Sequence, residues 1–188
     1  LLMIDKHAAH ERILFEKLTE KSLKVGKIEF PNYESTSSDV VKMYLNGEFG
    51  KDPNSVNAYA ASILFAVDRF ATVKNTARDI FENNDVVIAD RYTTSNMVHQ
   101  ASKISDIREK GLFLDWLYDF EYVKMGIPKP DKVIFLDMPI EVSQKLMTGR
   151  YEGDEAKKDI HERNTDYLEH CRKSALYTAE YSGWEKIS

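Results

Sequence analysis

Asp90 and Arg91 stand side by side at the end of an apolar run, Val86 to Ala89, and lead into Tyr92, Ser95 and Asn96 in a segment rich in small polar residues. In open parallel sheets, ligands bind beyond the carboxyl ends of the strands. An arginine fork there can bind phosphate oxygens in pairs and spread the charge of a transferring phosphoryl group. Two more apolar runs close on aspartate, one before Asp5 and one before Asp137, so three strand ends could deliver carboxylates to one rim. Asp is also common in strand-ending turns, and Arg91 could form no more than an ion pair with Asp90. Phe65 and Arg69 lie one helical turn apart on the same face. Such a pair could offer an aromatic surface and an edge-directed donor to a flat base, or could be a core ring beside a surface charge. Ser95 and Asn96 could line a site or cap a helix. His7 and His10, also one turn apart, are read as helix-surface histidines rather than metal ligands.

The elements that would position these residues follow from periodicity. Strands are expected near 1–5, 23–30, 85–90, 132–137 and 184–187, with helical patterns between them. That alternation predicts an α/β fold: a three-layer, five-stranded parallel sheet flanked by helices, in a single domain over 1–188. A first helix is expected over 9–21, and a second from Ser38, its N-cap, to Asn46-Gly47. A long helical region over 56–82 is expected to bend or break near Arg69 to Thr72. Phe113, Leu114, Trp116, Leu117 and Phe120 mark the apolar face of a later helix, which Pro128 to Asp131 end. Helix is expected at 140–147 and 157–181, with a polar loop carrying Arg150 over 148–155.

With 188 residues, 43% of them hydrophobic, the chain can bury a substantial core in one domain. A net charge of −5 argues against a broad nucleic-acid or anionic-membrane surface, while leaving room for a local basic pocket. Cys171 is the one cysteine, which rules out an internal disulfide and points to a reducing cytoplasm. No apolar run approaches the roughly 20 residues of a membrane span. Leu1 in place of an initiating Met fits a fragment.

Phe30-Pro31, Phe65-x-x-x-Arg69 and Asp90-Arg91-Tyr92-x-x-Ser95-Asn96, in that order, resemble the thymidylate kinase family, and Phe135-Leu136-Asp137-Met138-Pro139 fits its next strand. The resemblance runs from about residue 13 to the end. It implies a P-loop NTPase, nucleoside monophosphate kinase-like fold that passes the γ-phosphate of ATP to dTMP, with Mg²⁺ on the donor phosphates, in a cytoplasmic homodimer. It also implies that Phe65 stacks on thymine, Arg69 bonds the base edge, Tyr92 crowds the sugar 2′ position, and Ser95 and Asn96 lie near the base. Arg91 would bind phosphate, Asp90 would be the carboxylate nearest the metal or acceptor, and Arg150 would belong to a lid over the donor. Many members carry an arginine where this chain has Tyr33, whose hydroxyl can donate a hydrogen bond but brings no charge.

A P-loop needs G-x-x-x-x-G-K-[ST] after the first strand, so that backbone amides and a lysine can cradle the donor phosphates. Here Asp5 is followed by Lys6-His7-Ala8-Ala9-His10-Glu11-Arg12, and no glycine occurs before Gly26. Over residues 1–18, Asp5-Lys6-His7-Ala8-x-x-Glu11-x-x-x-x-Glu16 instead resembles the D-Q-H-A-x2-E-x4-E motif of the MutL C-terminal domain, a metal-dependent endonuclease site whose other ligands have no counterpart here. Slow or absent kinase turnover is therefore expected. The rivals to an active kinase are a dTMP-binding relic or chimera and, well behind, a nuclease fragment.

Overall fold

The computed structural model describes residues 2–5, 15–137 and 165–187. The expected helix at 140–147, the loop with Arg150 and most of the first helix fall outside them, and that helix is described only as α1 over 15–20.

Five strands appear: β1 (Leu2–Asp5), β2 (Val25–Glu29), β3 (Val86–Asp90), β4 (Lys132–Leu136) and β5 (Glu185–Ile187). Their pairings are short and all parallel, in the order β2-β3-β1-β4-β5. Register sets the rim, because Asp90 lies opposite Ile4 of β1 and opposite Glu29 of β2. Val87, Ile88 and Ala89 are buried in succession, which a strand shows when both its faces are covered. Gly26 in β2 allows a close approach from the neighbouring helix, since a Cβ there would lie 2.5 Å from Ile80 Cγ2.

Helix α2 (Asp39–Leu45) starts after Ser38, but Ser38 makes no side-chain cap. Its hydroxyl donates to the Ser35 carbonyl, and Ser35 caps the preceding short 3-10 turn by accepting from the Ser37 amide. Helix α3 (Ala58–Asn75) opens on Asn57, whose side chain accepts from the Ala60 amide at 2.9 Å. The break expected near Arg69 to Thr72 is not there. The helix runs through both residues, which are buried on its inner face, and ends at Thr76-Ala77. The amides of Thr76 and Ala77 and the Thr76 hydroxyl all bond the Thr72 carbonyl there. Helix α4 (Arg78–Asn83) follows, then α5 (Thr93–His99) directly after β3.

Helix α6 (Ile107–Tyr118) is capped by Asp106, which accepts from the amides of Arg108 and Glu109. It then widens into a π turn over Asp119–Lys124, where the Met125 amide reaches back five residues to the Phe120 carbonyl. Such turns insert a residue and change the direction in which side chains project, and they are frequent at functional sites. The last described helix is α7 (Thr165–Tyr181). Ile28, Phe30, Val73, Val87, Ala89, Tyr92 and Ile127 form one core cluster, while Val98, Phe135, Ala175 and Ala179 form another.

Candidate functional site at the carboxyl edge of the sheet

β2 and β3 end side by side, and the Phe30 amide bonds the Asp90 carbonyl at 3.1 Å. The chain then leaves each strand abruptly. After β2 it passes through a cis Phe30-Pro31 bond, and after β3 through Arg91, which holds φ at 60°. A left-handed conformation costs a residue with a Cβ about 1–2 kcal/mol. Strain of this kind gathers at sites where a side chain must be aimed.

The Phe30 and Tyr92 rings meet edge to face at 5.4 Å, and the Arg69 guanidinium lies over both, 5.8 and 5.6 Å from their centroids. Tyr92 is fully buried and its hydroxyl donates to the Pro128 carbonyl at 2.8 Å. Burial pushes its ionisation well above the ordinary tyrosine value. Arg69 is itself buried and donates from Nε and Nη2 to Glu121, at 2.6 and 3.0 Å. Burial, the largest single influence, lowers its pKa, but the charge and hydrogen bonds of Glu121, with Tyr92 and Tyr122, together raise it, so the guanidinium is charged.

Glu121 is fully buried and also accepts from Thr93 Oγ1 at 2.8 Å and Asn96 Nδ2 at 3.5 Å, while Asn96 Nδ2 donates to the Ser62 carbonyl at 3.2 Å. Beside this cluster, the buried Asp68 accepts from the Asn32 amide at 3.0 Å and from the Ser37 hydroxyl at 2.6 Å. It thereby ties the loop after β2 to α3. The Ser95 hydroxyl is buried with no hydrogen-bond partner among the described residues.

Of the residues singled out by sequence, Phe30, Arg69, Tyr92 and Asn96 come together in this cluster, with Pro31 buried in the chain beside it. Phe65 is half-buried and meets Tyr44 edge to face at 5.9 Å, one turn of α3 from Arg69. Tyr33 is 50% exposed, in the loop after β2. Asp90 and Arg91 occupy the rim, and Arg150 lies outside the described residues. Asp137 does not serve the rim: its carboxylate is held by Arg172 at 2.9 Å, with Lys186 at 3.8 Å. Sequence reasoning missed Glu121, Thr93 and Asp68. Asp68 adjoins Arg69 and could have been noticed, whereas Glu121 showed only as a charge abutting the apolar run that ends in Phe120.

These features define a class: parallel α/β proteins that take their ligands at the carboxyl edge of the sheet. Comparison with known proteins narrows it. The thymidylate kinase family model matches residues 8–187. The thymidylate kinase of Mycobacterium tuberculosis is 33% identical over 184 residues, which is 94% of this chain and 83% of that protein. A probable thymidylate kinase of Thermococcus onnurineus is 29% identical over 143 residues, covering 74% of this chain and 64% of its own. The thymidylate kinase of Dictyostelium discoideum is 27% identical over 143 residues, 76% of this chain and 54% of its own. The chain belongs to the thymidylate kinase family, phosphotransferases with a P-loop NTPase-like α/β fold. Because the family match begins at residue 8 and includes Glu11 and Glu16, the MutL-like reading of the first residues finds no support. Among the described residues, no helix is long and apolar enough to cross a membrane.

Proposed function

We infer that the chain is a thymidylate kinase whose acceptor pocket binds dTMP and whose donor is ATP with Mg²⁺. One observation carries the reading. Arg69 is charged and buried, its Nη1 makes no hydrogen bond among the described residues, and Asn96 shares its Glu121 partner. A donor left over on a buried, charged side chain beside polar groups is what a base edge would satisfy. Phe65 would supply the stacking face and Tyr92 the wall beneath the sugar. Arg91 would hold phosphate, with Tyr33 adding a hydrogen bond from the loop after β2. Magnesium usually keeps one or two carboxylates plus substrate phosphates. Asp90, at the end of β3, would be the carboxylate nearest such an ion. The ion would neutralise charge on the donor phosphates, and Arg150 would close over them.

The same reading takes the sheet as the five-stranded core of one three-layer, nucleoside monophosphate kinase-like domain, in a cytoplasmic protein that binds no nucleic acid. Tyr59, Ile63, Val67 and Phe70 form an exposed apolar stripe at helical spacing along α3, which supports a homodimer through that face. Sedimentation should show a dimer that Val67→Glu dissociates.

Calorimetry tests the pocket. Binding of dTMP in preference to dCMP and dGMP is expected, with Arg69→Ala losing tenfold to a hundredfold in affinity, since a hydrogen bond to a charged group is worth about 1.5–3 kcal/mol. Equal affinity for the three nucleotides would sink the reading. A second reading rests on the missing G-x-x-x-x-G-K-[ST] segment: a protein that binds dTMP without transferring phosphate. Removing one preorganised oxyanion donor can cost about 10²–10³ in rate, and a whole cradle more. ATP-dependent dTDP formation at roughly 1–100 per second would exclude that second reading.

A further inference from the structure

Glu121 has no part in the reading above except as the partner of Arg69, yet its placement constrains more than charge. It sits in the π turn after α6, fully buried, with three side chains converging on one carboxylate. Arg69 uses Nε and Nη2, Thr93 its hydroxyl, and Asn96 its Nδ2. What remains on the two base-reading side chains follows by subtraction. Arg69 keeps Nη1, a donor. Asn96, with Nδ2 committed to Glu121 and to the Ser62 carbonyl, keeps Oδ1, an acceptor with no hydrogen bond among the described residues.

A buried carboxylate accepts and never donates while ionised, so it fixes the polarity of every group that faces it. Were residue 121 able to donate, the Asn96 Nδ2 would keep only the Ser62 carbonyl at 3.2 Å as its acceptor, and the carboxylate that helps hold its orientation would be gone.

We propose that Glu121 is the positioning residue that sets the donor and acceptor pattern of the base pocket, holding Arg69 Nη1 as the donor and Asn96 Oδ1 as the acceptor. This rests on the acceptor-pocket reading given above. A donor beside an acceptor matches a pyrimidine with a carbonyl at position 4 and a hydrogen on N3. Cytosine, with an amino group at 4 and a bare N3, presents the reverse and leaves buried groups unpaired, the circumstance in which hydrogen-bonding sites discriminate best. The Arg69 and Glu121 charges also cancel, which suits a neutral base and leaves the phosphate to Arg91.

The test is a set of affinity ratios measured by calorimetry on the full chain with dTMP, dUMP and dCMP. Thymine and uracil share the same hydrogen-bonding edge, so Glu121 should not affect the choice between them. In Glu121→Gln the preference for dTMP over dCMP should fall at least tenfold, while the dTMP to dUMP ratio stays as in the wild type. A merely structural glutamate would weaken all three ligands together. An unchanged dTMP to dCMP ratio, or an equal loss for all three, therefore overturns the assignment. If E121Q shows no cooperative melt, Glu121→Asp keeps the charge, withdraws the carboxylate by one methylene, and is read by the same ratios. A wild-type chain that binds dTMP and dCMP alike would remove the proposed function itself. A wild type that prefers dTMP, with variants that keep the full preference, would remove only the role given to Glu121.

Discussion

Arg69 and Arg78 each donate from Nε to a glutamate, at 2.6 Å to Glu121 and 2.8 Å to Glu82. The atoms and lengths are nearly the same, and the surroundings are opposite. The side chains of the first pair are 4% and 0% exposed, those of the second 72% and 57%. On the surface, water and salt screen the attraction, and side-chain entropy offsets much of what remains. Inside, each charge has lost its hydration, so the pair is tolerable only intact, and either partner alone becomes a liability. The buried pair is thus a poor source of net stability and a strong constraint on geometry. That is a reason to read it as part of a site and Arg78 with Glu82 as decoration on a helix.

The sharpest way to break this contrast is Glu121→Ala, which strands a charged Arg69. A loss of about 3–5 kcal/mol in unfolding free energy is expected from denaturant titration, and a small loss would mean that water reaches the pair. Removing both charges should be far milder. Arg69→Met with Glu121→Leu should recover stability to within about 1–2 kcal/mol of the wild type, while nucleotide titration shows that preference for dTMP has gone. Such a variant would separate what the pair does for the fold from what it does for the ligand.

Lys103 offers an intermediate case, a partly buried cation that donates to the Tyr44 hydroxyl at 3.0 Å and the Val56 carbonyl at 2.8 Å. Burial pulls its pKa down to about 8. Below that value both folded and unfolded chains hold the proton, and the burial penalty is present in full. Between about 8 and 10.4, the ordinary lysine value, the unfolded chain keeps a proton that the native one has lost, so stability rises with pH. The slope should be no more than about 1 kcal/mol per pH unit, reduced because the side chain is partly exposed. Melting curves from pH 8 to 9.5 should show this rise in the wild type and not in Lys103→Met. The window closes near pH 10, because burial raises the Tyr92 and Tyr122 pKa values and a folded state that keeps those protons loses stability as unfolded tyrosines ionise. The smallest effect belongs to Arg78→Ala, which should leave the melting temperature where it is.

The two pairs also show why sequence reveals some contacts and hides others. Arg78 and Glu82 are four residues apart on one helix, so helical geometry alone makes them neighbours. Arg69 and Glu121 are 52 apart, and only tertiary packing and the π turn bring them together. No periodicity in the sequence announces that turn. Strand positions were legible, because apolar runs closed by Asp5, Asp90 and Asp137 mark where β1, β3 and β4 stop. The end of α3 was not: a bend or break was expected near Arg69 to Thr72, and both proved to be inward-facing residues of an unbroken helix. Ser38 misled in a smaller way, since the residue three before it accepts its hydroxyl and begins the turn. Arg69 itself was recognisable by family likeness, while its buried counter-charge was not.

Arg91 carries a last consequence, from the φ of 60° it adopts on leaving β3. The backbone at that point favours glycine, and Arg91→Gly would release roughly 1 kcal/mol of conformational strain. A laboratory selection that rewarded only heat resistance would therefore favour glycine there and discard the guanidinium proposed above to hold phosphate. Thermal ranking of variants at position 91 would run against their usefulness, so any programme to harden this protein should hold that residue fixed and look for its gains elsewhere.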